Sequence, residues 1–178
     1  MKQTSKYVSP MSNQGRNQYV VTHITDALLE LIKTKSLSDI SISEICDKAQ
    51  VGRASFYRNF ESKEAVIARH LKTLLDDWFA DFIKSGSPNI VEAIFTHYYQ
   101  HKELCITLYR QGLAYLSLQS IKDACGAKSE QTNFEAYTSA FFAHGLYGWI
   151  EEWFRRGMQE TPKKMQELWL ASRKETVK

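Results

Sequence analysis

From Val66 to Phe82 the apolar side chains return every three or four residues, at Val66, Ile67, Leu71, Leu74, Leu75, Trp78, Phe79 and Phe82, with His70 in the same stripe. Only a helix, at 3.6 residues per turn, gathers such a set on one face. The same stepping runs through Val20, Ile24, Ala27, Leu28, Leu31 and Ile32. Eight Gly and three Pro make up about 6% of 178 residues, against a usual share near 12%, and this scarcity of turn formers disfavours a many-stranded sandwich or barrel. The expected fold is all-α. With 43% hydrophobic residues, the chain can bury about 70% of its unfolded surface without disulfide or metal staples. Its length fits one domain, or a small module joined to a larger one.

About nine helices can be drawn, with no strand and no internal repeat. The first runs from Tyr19 to about Lys33–Lys35, and a polar break, Thr34 to Asp39, follows. Ser41 and Glu44 have the spacing of a capping box, in which each side chain satisfies the other's free backbone donor, so the second helix starts at Ile42. It ends near Ala49, and Gln50-Val51-Gly52 separates it from a short run, Arg53 to Asn59. Ser62 caps the next helix, which extends to about Ile83. Ser85-Gly86-Ser87-Pro88 is the clearest break in the chain, with Pro88 suited to the first turn of a helix reaching Gln100. Further helices cover about 102–111, stopped by Gly112, and 113–124, stopped by Cys125-Gly126. An aromatic-rich helix follows over 133–156, and Thr161-Pro162 opens the last one, through about Arg173.

Two short helices joined by a tight turn, at 42–49 and 53–59, make a helix-turn-helix candidate. Ile45, Ala49, Val51, Phe56 and Phe60 are its apolar positions, and small Ala49 permits a close crossing. The second helix carries Arg53, Ser55, Tyr57 and Arg58 and no acid. That composition suits a phosphate-lined groove. Arg pairs bidentately with guanine, Ser bonds to either base type, a Tyr hydroxyl reaches phosphate, and each good base contact is worth ~1–3 kcal/mol of discrimination.

The wording of this segment goes further than its spacing. Ser41, Glu44 and Ile45; Ala49 and Val51; Ser55, Phe56, Tyr57 and Phe60; and Ser62, Lys63 and Glu64 together resemble the DNA-binding domain of the TetR family of transcriptional regulators over about residues 18–66. The resemblance implies a homodimer presenting two such helices to successive major grooves of a near-palindromic operator in double-stranded DNA. By position, Arg53, Ala54, Ser55 and Arg58 would face bases, while Ser41, Tyr57 and Lys63 would hold phosphates. Lys63 has a separate argument, because it sits in the first turn of a helix, where the dipole disfavours a cation, and a nearby phosphate would explain it. Two positions depart from the family pattern. Gln50 stands where a turn Gly is common and has to adopt positive φ, and Gly52 replaces a Ser or Thr cap.

Phe141 to Met158, followed by Thr161 to Met165, is similar to the C-terminal domain of TetR-type regulators common in Firmicutes, including the dihydroxyacetone-kinase regulator group. Gly145 and Gly148 each cost a helix about 1 kcal/mol relative to Ala, which suggests that another helix approaches closely. The family's last two helices form a four-helix bundle across the dimer, which makes Gly145, Gly148, Trp149, Trp153 and Trp169 interface candidates. Such regulators commonly sense a small molecule, and Trp78, Phe82, Phe95, Tyr98, Tyr109 and His144 are candidates for lining the pocket; at helical spacing the same residues also read as plain core. The implied organisation is a basic flexible arm over 1–17 with Lys2, Lys6 and Arg16, a DNA-binding domain over 18–66, and an effector-binding and dimerisation domain over 67–178.

His97, His101 and Cys105 recur every four residues, a spacing that on an unbroken helix would offer three metal ligands. The break near His101 and the lack of a fourth ligand argue against a metal, and no cofactor is expected. Cys46, Cys105 and Cys125, odd in number and without CxxC spacing, fit reduced thiols in a cytoplasmic protein. No run approaches a membrane span or a secretory signal. The net charge of +3 is too small to identify a polyanion partner. The GxSxG, Walker A, GxGxxG and HExxH signatures are missing, so no enzyme is expected. The reading is a bacterial transcriptional regulator, more simply a repressor; the alternative is a helical coactivator that works through a protein partner without reading DNA itself.

Overall fold

The structure, a computed structural model, describes residues 13–125 and 128–175. Among the described residues it contains nine α-helices, one 3-10 turn and no strand. The chain divides into two compact units, at Val66 and Ile67.

The first unit contains α1 (Asn13–Leu31), a 3-10 turn at Leu37–Asp39, α2 (Ile42–Ala49), α3 (Arg53–Asn59) and the start of α4 (Lys63–Ser85). α1 begins six residues before the expected Tyr19, so the expected arm is helical from Asn13 to Asn17. A polar stretch adjoining a nucleated helix needs only propagation, one hydrogen bond for each residue added. Arg16 lies exposed on this extension, while Lys2 and Lys6 lie outside the described residues. The break after α1 is more ordered than its polarity suggests, because Leu37 and Ile40 are buried within it. Val21, Ile24, Leu28, Ile32, Ile45, Ala49, Phe56 and Phe60 are buried with them, and α1, α2 and α3 contact one another pairwise.

The second unit holds the rest of α4, then α5 (Ile90–Gln100), α6 (Lys102–Arg110), α7 (Tyr115–Cys125), α8 (Asn133–Arg155) and α9 (Pro162–Glu175). α5 packs on α9, and α8 packs on α6 and α7. Phe95, Tyr98, Leu146, Ile150, Trp153, Phe154 and Met158 belong to its buried cluster. Pro88 precedes the helix cap instead of opening the helix, because Asn89 takes the cap position and accepts from the Glu92 N–H. Gly112, at φ 71°, ends α6 as its position implies, with the Leu113 N–H reaching back to the Leu108 carbonyl. Gly126 lies outside the described residues, as does the side chain of Cys125.

The complete capping box is not at Ser41. Thr132 Oγ1 accepts from the Glu135 N–H while the Glu135 carboxylate accepts from the Thr132 N–H at 2.8 Å. At α2 only half the box forms. Ser41 Oγ accepts from the Glu44 N–H at 3.1 Å, but the Glu44 carboxylate pairs with Lys35, whose ammonium outcompetes a neutral backbone donor.

A candidate nucleic-acid interface

α2 stops in a Schellman motif. Gln50 is left-handed, at φ 54° and ψ 41°, with its N–H on the Asp47 carbonyl and the Val51 N–H on that of Cys46. The positive φ expected from the sequence is present, in a residue whose Cβ makes it unfavourable. Gly52 then caps α3 in extended conformation without a side-chain bond, and a Cβ there would meet open space. Val51 lies between two constrained positions, so the turn is short and its geometry defined.

α3 buries Phe56 completely, and Phe60 just beyond it is 4% exposed; burying each such ring stabilises by about 1.5–3 kcal/mol. Anchored by these two rings, α3 presents Arg53, Ala54, Tyr57 and Arg58 to solvent, with Ser55 half-buried beside them. Residues 53 and 57, and 54 and 58, are one helical turn apart and share that face. Arg58 Nη2 donates to Ser55 Oγ at 3.0 Å, so two candidate base readers are held together. Tyr57 meets Phe56 edge-on, with centroids 5.6 Å apart. Neither Arg53 nor Arg58 makes an ion pair among the described residues. The face is cationic, acid-free and open, with Ala54 small enough to let a groove wall approach.

Ser41 is exposed; its oxygen is used as a cap acceptor, which leaves the hydroxyl hydrogen to donate. Lys63 departs from its expected reason. Its Nζ donates to the Leu37 and Ile40 carbonyls at 2.5 and 2.6 Å, clasping the 3-10 turn to the start of α4. Two partly buried carbonyls therefore account for a cation in a first helical turn without a phosphate. Cys46, on the buried face of α2, is a free thiol whose pKa is raised, chiefly by burial, and such a thiol is unreactive.

In the second unit the six candidate pocket residues do not converge. Trp78 and Phe82 line a cleft between α4 and α5, while Tyr98 borders a separate small space with His97, His101 and Cys105. Phe95 is fully buried and edge-on to Trp153, Tyr109 packs on the core, and His144 is exposed, its Nδ1 on the Ala140 carbonyl. Phe95 and His144 are thus a core ring and a surface group, not pocket walls. The helix breaks at His101 between α5 and α6, and among the described residues no three His, Cys, Asp or Glu side chains could hold a metal ion. Burial pushes the Cys105 thiol up to about 12.

Of the interface candidates, Trp153 is 1% exposed and Trp169 8%. Both are used inside this chain, Trp153 against Phe95 and Tyr99, Trp169 against Trp149 and Phe142. They are core residues of the unit and offer little surface to a partner. The close approach expected at Gly145 and Gly148 is not made among the described residues, because a Cβ at either position would meet nothing within 4 Å. On α8 the exposed aromatic residues are ones the sequence places in the helix but not at an interface: Phe134, Tyr137 and Phe141 are 80, 74 and 82% exposed. Their spacing of three and four, continuing into Gly145 and Gly148, was the available signal.

Among the described residues no helix is long and apolar enough to cross a membrane. Residues 24–69 match the family model of bacterial regulatory proteins, tetR family, and residues 86–172 match that of a transcriptional regulator C-terminal region. No curated protein matches the chain. A solved TetR transcriptional regulator from Streptococcus agalactiae 2603V has a similar fold, with a TM-score of 0.59 and 17% identity over 88% of this chain and 94% of that one. The helix-turn-helix geometry of α2 and α3, the acid-free face of α3 and the two family matches along the chain lead to one assignment: the protein belongs to the tetR family of bacterial regulatory proteins and is a DNA-binding regulator of transcription.

Proposed function

We propose that this regulator is a homodimeric repressor in the bacterial cytoplasm, holding a near-palindromic operator through residues 18–66 and releasing it when a small molecule binds the helical domain of residues 67–178. The observation that carries the DNA-reading part is the exposed face of α3, where two guanidiniums without an ion pair among the described residues flank Ala54 and Tyr57 on a helix without acids. In this reading Arg53, Ala54, Ser55 and Arg58 meet bases, and Ser41, Tyr57 and Lys63 meet phosphates. Lys63 can do so with its third N–H while keeping both carbonyls.

The partner for the outer face of α8 is a second copy of the chain. Phe134, Tyr137 and Phe141 supply apolar surface, and Gly145 and Gly148, next to Trp149, leave room for a helix to approach. A two-fold dimer uses one self-complementary patch twice and sets two α3 helices at a fixed spacing. Kinship with the dihydroxyacetone-kinase regulator type rests on the wording of Phe141–Met158.

The test is selection of bound duplexes from a random library at near-physiological salt. A palindrome is expected to be enriched, and Arg58→Ala is expected to weaken its binding by ~1–3 kcal/mol while relaxing preference at one position in each half-site. Binding that enriches nothing and vanishes as salt rises would overturn the repressor reading in favour of a coactivator acting through a protein partner.

A further inference from the structure

The cleft between the C-terminal part of α4 and one face of α5 has a volume of about 390 Å³, within the range of small-molecule sites. One wall is aromatic: Trp78 and Phe82 stack with centroids 5.7 Å apart and planes at 22°. Asp81 from α4 and Glu92 from α5 also line it, and no Lys or Arg does. Asp81 pairs with Lys84 at 3.1 Å, but both are more than three-quarters exposed, so water screens the pair and it is readily exchanged. Glu92 is half-buried and held by Asn89 Nδ2 at 2.9 Å, which fixes its carboxylate in place.

His97 adds an independent observation. It lines the cleft, is 6% exposed and touches Trp78, Tyr98 and His101 through its ring, yet no hydrogen bond reaches its nitrogens among the described residues. The buried unpaired side-chain atoms among the described residues are the Trp153 and Trp169 indole nitrogens, so the His97 nitrogens are not sealed off and stay open to water or to a polar group of a ligand.

We propose that this cleft binds an organic cation carrying aromatic or other apolar surface. Trp78 and Phe82 take the apolar surface and meet the positive charge with their ring faces, Asp81 and Glu92 supply the countercharge, and the His97 imidazole bonds to a polar group of the ligand. An anion would face two carboxylates with no cation in the lining. Burial, and secondarily the neighbouring His101, lowers the His97 pKa to about 4, so the imidazole is neutral near pH 7 and does not repel a cation. The inference deepens the effector reading and rests on it for the consequence on DNA; binding itself is measured without DNA.

The experiment is isothermal titration of the full-length protein with tetraphenylphosphonium and with tetraphenylborate, ions of similar shape and opposite charge. The phosphonium is expected to bind saturably, one per chain, and the borate at least about ten-fold more weakly. The double variant Asp81→Asn/Glu92→Gln should lose phosphonium affinity by about ten-fold or more at an unchanged melting temperature. Glu92→Gln alone keeps an acceptor for Asn89 and should lose part of it. Equal affinity for the two ions, unchanged phosphonium affinity in the variants, or no saturable phosphonium binding would overturn the proposal. Binding that meets these expectations but leaves operator occupancy unchanged would uphold the cleft and overturn its role as the release site.

Discussion

α3 and α8 leave opposite kinds of surface in water. The seven residues of α3 bury Phe56 and expose two guanidiniums and a phenol, groups that water satisfies. α8, with 23 residues, buries Ala143, Leu146, Ile150, Trp153 and Phe154 and exposes Phe134, Tyr137 and Phe141. Covering aromatic surface gains about 25 cal/mol per Å², whereas covering a guanidinium costs free energy unless an anion meets it. The face of α3 therefore calls for a polyanion, and the face of α8 for a second apolar surface. Exposure alone would have ranked the two faces together; their chemistry separates their partners.

The largest expected effect opposes the two sides of α8. Trp153→Ala should lower unfolding free energy by about 3–5 kcal/mol, read by denaturant unfolding, while Phe141→Ala should stay within about 0.5 kcal/mol in the dilute monomer and weaken self-association in sedimentation. Similar stability losses for both would break the inside-outside assignment of α8. The next effect is a pH dependence centred on His97. Its folded pKa of about 4 lies below the ordinary 6.5, so between those values the unfolded chain binds more protons. The stability that this neutral, buried ring contributes is complete above pH 6.5 and is lost as pH falls through about 4. The loss amounts to about 3 kcal/mol and should be absent from His97→Gln in acid unfolding series.

In the first unit, Lys63→Met sharpens what the DNA-binding surface owes to the fold. Removing a charged donor from two partly buried carbonyls should destabilise by about 1–3 kcal/mol, seen in thermal melts. If Lys63 also holds a phosphate, the salt dependence of DNA binding flattens by about one unit; a flatter slope without destabilisation would overturn the clasp. The smallest effect lies at the turn. Gln50→Gly should raise stability by about 0.5–1 kcal/mol by relieving the left-handed strain, with the enriched operator unchanged.

Much of the first unit is legible in the chain because its instructions are local. Ala49, Gln50 and Gly52 set a helix end, a left-handed residue and a helix start within four positions, and the step from Phe56 to Phe60 decides which side of α3 faces in. Where a local rule met a competitor three-dimensional proximity decided, as when Lys35 took the Glu44 carboxylate from its capping box. In the second unit the helical period places Trp153 and Phe141 twelve residues apart on different sides of α8, and nothing local says which side is inside. The family resemblance made both Trp153 and Trp169 interface candidates, although this chain buries them, and aromatic character alone did not separate them from Phe134, Tyr137 and Phe141.

By itself the sequence determined the helix set, the turn between α2 and α3, and the acid-free reading face, since propensity, capping and periodicity act over a few residues. The tertiary structure alone decided that Lys63 serves two carbonyls some 23 and 26 residues away, that Gly145 and Gly148 lie open, and that Trp78 and Phe82 share a cleft with Glu92 and His97. Each of those depends on which helices pack together, and long-range packing sums many small contacts that no single stretch of chain encodes.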